Sequence, residues 1–216
     1  MSAPKPAAGS TPDPIAPRTD AGGLPGRLVI ISGPSGAGKS TVVRELLRRC
    51  ELPLKLSVSA TTRPPRPGET DGVQYHFMNE AEFGRRRAAG EFLECKEVFG
   101  LGRWYGTLRD EVATGLAAGR WVILEIDVQG AIAVLDADRF DPVTLFIHPG
   151  SLEELERRLR HRGTEDEATL RRRLETAAIE MGSMHRYRYE IINDEVDAAL
   201  AEICQILKDN ATRTRN

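Results

Sequence analysis

Apolar residues along this chain gather into short continuous runs, with stretches of helical spacing between them. Leu28-Val29-Ile30-Ile31, Trp121-Val122-Ile123-Leu124 and Val143-Thr144-Leu145-Phe146-Ile147 carry almost no polar interruption. A strand wetted on one face alternates apolar with polar residues, so unbroken runs of this length suit strands covered on both faces. Val43, Leu46, Leu47 and Cys50 recur at helical steps with Arg44, Glu45, Arg48 and Arg49 in the gaps, which predicts an amphipathic helix. Val196, Leu200, Ile203 and Leu207 form a second stripe, assigned to the core, and Asp194 is read as opening its helix. Capping patterns at Asn79 with Glu82, Ser151 with Glu154 and Thr164 with Glu167 mark three further helix starts, the second helix running to a terminal Gly163. The pattern predicts an α/β fold, a three-layer arrangement in which a parallel sheet lies between helices and ligands sit beyond the carboxyl ends of the strands.

The chemistry begins directly after the first run. Gly33-Pro34-Ser35-Gly36-Ala37-Gly38-Lys39-Ser40 fits GxxxxGK[ST] between a predicted strand and a predicted helix, the setting a phosphate-binding loop requires. Its backbone N–H groups and the helix N-terminus attract an anion, Lys39 reaches the β- and γ-phosphates, and Ser40 is the candidate ligand for Mg²⁺. With Thr41 in the first helical turn, this stretch is assigned to a nucleoside triphosphate, which the resemblance described below makes ATP.

Composition narrows the field. Thirty basic against 32 acidic residues leave a net charge of −2, so no global field draws the chain to nucleic acid or membrane, and none is expected as a partner. Cys50, Cys95 and Cys204 are odd in number and lack CxxC spacing, which predicts reduced thiols in a cytoplasmic protein. No apolar run reaches the length of a membrane span. Residues 1–25 are rich in Pro, Ala, Gly, Ser and Thr and read as a disordered tail, and 211–216 as a frayed end.

A phosphate loop alone does not choose a reaction. Between the first helix and Trp121 lies Ser57 to Phe77, in which Arg63 and Arg66 are separated by prolines. That makes a stiff clamp suited to a second phosphate. Asp127 follows a buried-type strand, where a carboxylate is costly unless paired. Arg158 and Arg162 stand one turn apart on one side of their helix and can face a phosphate together.

The string SxSxTTRxPRxGExxGxxYxF, together with the phosphate loop, resembles the guanylate kinases from about Arg27 to Leu207. The resemblance implies a phosphate-loop core at 26–58, 109–147 and 176–210, an inserted GMP-binding region at 59–108 and a helical lid at 148–175. It implies transfer of a phosphoryl group from ATP to GMP, and to dGMP. It places Arg63, Arg66, Tyr75 and Tyr105 on the GMP phosphate, and Ser59, Glu94, Thr107 and Asp127 around the guanine. Arg158, Arg162 and Arg173 would close over the triphosphate beside catalytic Lys39, and Asn193-Asp194 matches a motif near the adenine. The 100–107 stretch is about two residues longer than the family's usual turn, with Trp104 before Tyr105.

The base chemistry agrees with that assignment. Guanine offers N–H donors at N1 and N2, and ionised carboxylates only accept, so Glu94 and Asp127 would select guanine over adenine. GMP phosphate is itself the nucleophile, so no general base is required. Asp127-Val128-Gln129-Gly130 also fits the DxxG of regulatory GTPases, but no NKxD base-reading motif accompanies it. An intact phosphate loop likewise argues against a non-catalytic docking module, leaving a kinase for another monophosphate or a related phosphorylated sugar as the competing reading.

Overall fold

The computed structural model describes residues 26–98, 102–137, 139–161 and 166–213. The tail expected at 1–25 lies outside them, as do Arg162, Gly163 and Thr164.

The chain opens with β1 (Arg27–Ser32), α1 (Lys39–Arg49) and β2 (Leu54–Leu56). The inserted region follows as β3 (Ala60–Thr61), β4 (His76–Phe77), α2 (Glu80–Ala88), β5 (Phe92–Val98) and β6 (Arg103–Leu108). Then come α3 (Arg109–Ala117), β7 (Trp121–Glu125), α4 (Val128–Asp136), β8 (Val143–His148), α5 (Leu152–His161), α6 (Glu167–Gly182), β9 (Tyr189–Ile192) and α7 (Val196–Arg213).

The three unbroken apolar runs become β1, β7 and β8, adjacent strands of one parallel sheet in the order β2-β7-β1-β8-β9. Both faces are covered. Val29, Ile31, Ile123 and Leu145 point toward α1 and α7 with Val43, Leu46, Leu200, Ile203 and Leu207. Leu28, Ile30, Val122 and Leu124 point the other way, among Val112 and Leu116 of α3 and Val128, Ala131 and Val134 of α4. Period-2 alternation along each strand thus supplies two cores instead of one wet and one dry face.

The inserted region forms a separate four-stranded sheet, order β4-β3-β6-β5, whose β3–β6 and β5–β6 pairs are antiparallel. Its own small core holds Ala60, Phe83, Phe92 and Leu108, with the Phe83 and Phe92 rings stacked at 4.5 Å. The two-residue strands β3 and β4 show no periodicity, so patterning does not announce this sheet.

Helix boundaries differ from expectation where a better cap is available. Asn79 does cap α2, its side chain accepting from Glu82 N at 2.8 Å, and Ser151 Oγ accepts from Glu154 N at 3.2 Å. The start of α6 is set by Asp166, whose carboxylate takes Thr169 N at 2.7 Å, so Glu167 is the first helical residue and not the third. A short carboxylate aimed at the free N–H groups displaces the Thr164 reading. Asp194 precedes α7 without opening it: Glu195 O takes the first intrahelical bond, from Ala199 N at 3.1 Å. At the other end α7 continues to Arg213 with Ala211 buried, three residues into the stretch expected to fray.

Candidate active site

The phosphate loop is held from three sides. Gly33 has φ 137°, and a Cβ there would fall 2.0 Å from Ile147 O, so β8 leaves room only for glycine. Gly38 caps α1 at φ 87°, and a Cβ would stand 2.5 Å from Asn193 Nδ2. That amide explains the approach. Buried Asn193 donates from Nδ2 to Ala37 O at 2.7 Å, while its own N–H donates to His148 O at 2.8 Å. Asn193 therefore braces the loop from behind. From α6, Arg173 Nη2 donates to Ser35 Oγ at 3.1 Å, and a Cβ on Gly36 would meet Leu159 Cδ2 of α5 at 2.9 Å.

Within the loop, Lys39 Nζ donates to Gly33 O at 2.6 Å and Pro34 O at 2.9 Å. Desolvation lowers its pKa, against the upward pull of Glu125, Glu180 and Asp127. Ser40 Oγ donates to Glu125 Oε1, and Thr41 N to Gly38 O at 3.1 Å.

A cavity of about 320 Å³ opens next to the loop, at the carboxyl end of β7. Ser59, Tyr75, Glu94, Tyr105 and Asp127 line it, five of the eight residues expected around GMP. Thr107 adjoins it through Glu94, donating from Oγ1 to Oε1 at 2.7 Å. Burial pushes the Glu94 carboxyl above its ordinary pKa; the Thr107 bonds work against that and Asp127 reinforces it. Asp127 caps α4, its Oδ1 accepting from Gly130 N at 2.8 Å, and its Oδ2 is paired with Lys96.

Arg63 and Arg66 occupy different surroundings. Arg63 is buried, donating from Nη1 and Nη2 to the two oxygens of Glu69, with the Tyr75 and Phe77 ring centres 5.4 and 5.6 Å from its guanidinium carbon. Hydrogen bonding to Glu69 drives the Arg63 pKa still higher and brings the Glu69 carboxyl down to about 2. Arg66 is exposed, and its backbone N–H donates to Glu69 Oε2 at 2.7 Å. Prolines hold the turn, and the carboxylate ties both arginines into it.

Arg158 and Arg173 are not gathered at one point. Arg173 touches the phosphate loop, whereas Arg158 Nε is bound to Glu154 Oε1 of its own helix at 2.6 Å. Arg162 lies outside the described residues.

Three participants escaped the sequence reading. Glu69 sits inside the motif string without an assigned role. Lys96 lies two residues beyond Glu94, a spacing that puts both on one strand face. Glu125 ends β7 two residues before Asp127, contacts Ser40 and also lines the cavity, so one carboxylate borders both the loop and the cavity. No helix among the described residues is long and apolar enough to cross a membrane.

Residues 25–210 match the family model described as Guanylate kinase. The chain is similar to a protein named guanylate kinase from Rhodopirellula baltica, 65% identical over 202 residues that cover 94% of this chain and 97% of that one. It is 48% identical over 189 residues to a Thermobifida fusca protein of the same name, covering 88% of this chain and 94% of the other. Its fold resembles the crystal structure of guanylate kinase from Anaplasma phagocytophilum at a TM-score of 0.69 and 34% identity, with 87% of each chain covered.

Proposed function

The chain belongs to the guanylate kinase family, and we propose that its reaction, the ATP-dependent phosphorylation of GMP to GDP, runs between the phosphate loop and the cavity beside it. The observation that carries this reading is Glu125, which accepts from Ser40 on the donor side and lines the cavity on the acceptor side. Two anion seats bordered by one carboxylate bring the γ-phosphate of ATP and the phosphate of GMP together.

In this mechanism Gly33 to Thr41 wrap the triphosphate, and Lys39 leaves the Gly33 and Pro34 carbonyls to meet the transferring phosphoryl group. Arg63 and Arg66, with Tyr75 and Tyr105, hold the GMP phosphate in line. Ser59, Glu94, Thr107 and Asp127 read the base, and a base offering an acceptor at N1 gives the half-buried Glu94 no donor beyond Thr107. dGMP keeps every one of these groups and serves as a second acceptor. The lid at 148–175 excludes water, Arg173 and Arg158 closing on the triphosphate with Arg162. Asn193 acts by bracing Ala37.

The donor side suits Mg²⁺. Ser40 Oγ and a Glu125 oxygen stand together at the α1 N-terminus, and hard oxygen donors beside a phosphate site are what that ion takes. Ser40 would hold it with the ATP phosphates, whose charge the bound ion neutralises. The enzyme so described works in cytoplasmic purine nucleotide metabolism.

ADP formation from ATP, measured with GMP, dGMP, AMP and UMP as acceptors, tests the assignment. GMP and dGMP should support turnover and AMP and UMP should not; equal rates with AMP would overturn it.

A further inference from the structure

Alternation along β5 turns Glu94 and Lys96 toward the acceptor cavity, while Cys95 between them packs with the core of the inserted sheet. Lys96 belongs neither to the arginine clamp nor to the phosphate loop. Its ammonium pairs with Asp127 Oδ2 and donates to Gln129 Oε1 at 3.2 Å, bridging β5 to the first turn of α4. Glu94 approaches that same turn: a Cβ on Gly130 would stand 3.0 Å from Glu94 Oε2 and 3.4 Å from Asp127 Oδ1. Glu94 and Asp127 therefore crowd one turn of a small cavity that Glu125 also lines, and like charges there oppose each other's ionisation.

We propose that Lys96 is a positioning residue for guanine recognition: by tying Asp127 to Gln129 it fixes one carboxylate and offsets the charge that this carboxylate would impose on Glu94. Glu94 then stays an acceptor for the base N–H groups in neutral and mildly acidic solution. The inference rests on the reading of this cavity as the GMP base site.

Groups of both signs face Glu94 from the packed elements. Asp127 stands at the head of α4, Glu125 at the end of β7, Tyr105 on β6 and Tyr75 just before β4. Farther off, Lys39 of α1 and Glu180 of α6 act on the same cluster with opposite charges. Among the described residues lining the cavity, Lys96 alone is cationic. Burial and Asp127 both raise the Glu94 pKa, and Lys96 acts in the opposite sense.

Sign follows from charge. Without the ammonium, Glu94 takes up its proton at a higher pH and loses its acceptor role sooner on acidification. The test is calorimetric binding of GMP and of ATP to the parent, Lys96→Met and Lys96→Arg, from about pH 5.5 to about pH 8.5. Lys96→Met should bind GMP within about threefold of the parent at the alkaline end, and its affinity should begin to fall roughly one pH unit earlier, about a tenfold deficit on the acid side. Lys96→Arg should restore the parental profile, and ATP affinity should be equal in all three, which also reports an intact fold. In a Glu94→Gln background, Lys96→Met should add no pH dependence.

A loss of GMP affinity that is the same at every pH would overturn the proposal, since it would place Lys96 on the base itself; so would an unchanged profile. A Glu94→Gln variant that binds GMP as the parent does would instead sink the reading of the cavity.

Discussion

Glu69 grips Arg63 fork to fork, with Nη1 and Nη2 lying 2.8 and 2.9 Å from its two carboxylate oxygens. The same carboxylate takes the backbone N–H of Arg66, so both arginines of the clamp are referred to one anchor. A guanidinium has five donors, and this pairing engages its outer edge while Tyr75 and Phe77 flank its face. The arginine is thereby oriented before any phosphate arrives.

Glu69→Ala should raise the KM for GMP by roughly 10- to 100-fold, the weight of lost charge-assisted hydrogen bonds, and leave the KM for ATP unchanged. The Glu69 carboxyl is depressed to about 2 from 4.5, so its support is complete above 4.5 and fades as pH falls from there toward 2. A GMP titration of parent and variant checks the first statement. A low-pH unfolding series, in which the parent loses more stability than the variant across that window, checks the second.

Lys39→Ala should lower kcat by about 100-fold or more, in line with removal of a preorganised group aimed at developing charge. Steady-state ADP formation decides it. A variant that kept most of its rate would remove the loop lysine from the transfer step.

Glu94→Gln should weaken GMP by about 100-fold with ATP unaffected. Its effect on stability has the opposite sense. Burial raises the Glu94 pKa, so ionising it is harder in the folded state than in the unfolded one. That penalty is absent below the unfolded value and complete above the folded value, hence the variant should melt no lower than the parent at neutral pH. Binding titrations and a melting curve at two pH values test both halves.

Asn193→Leu should raise the KM for ATP and cost about 1–3 kcal/mol of stability, because Ala37 O loses its buried donor. The KM for GMP should hold. A defect in GMP affinity equal to that in ATP would mean that the brace serves both seats.

What the sequence made legible is what depends on neighbours along the chain. The phosphate loop is a local backbone device, so its eight-residue spacing and its strand-to-helix setting were readable in advance. The apolar runs of β1, β7 and β8 announced a doubly covered sheet for the same reason. Strands β3 and β4 have two residues each, too short for any periodicity, and exist because β6 pairs with β3 across more than 40 positions of chain. Separation along the chain also hid the partnership of Lys96 with Asp127 and of Asn193 with Ala37. The start of α6 lies two residues beyond the Thr164 reading because Asp166 is an equally good cap by type and takes Thr169 N.

The bonds from Lys39 to Gly33 and Pro34 hold the ammonium between two neutral acceptors. A nucleotide entering the cradle must win the ammonium away from two carbonyls that already content it. A phosphate oxygen would offer that ammonium a charged acceptor in place of two neutral ones, and an uncharged nucleoside would offer none.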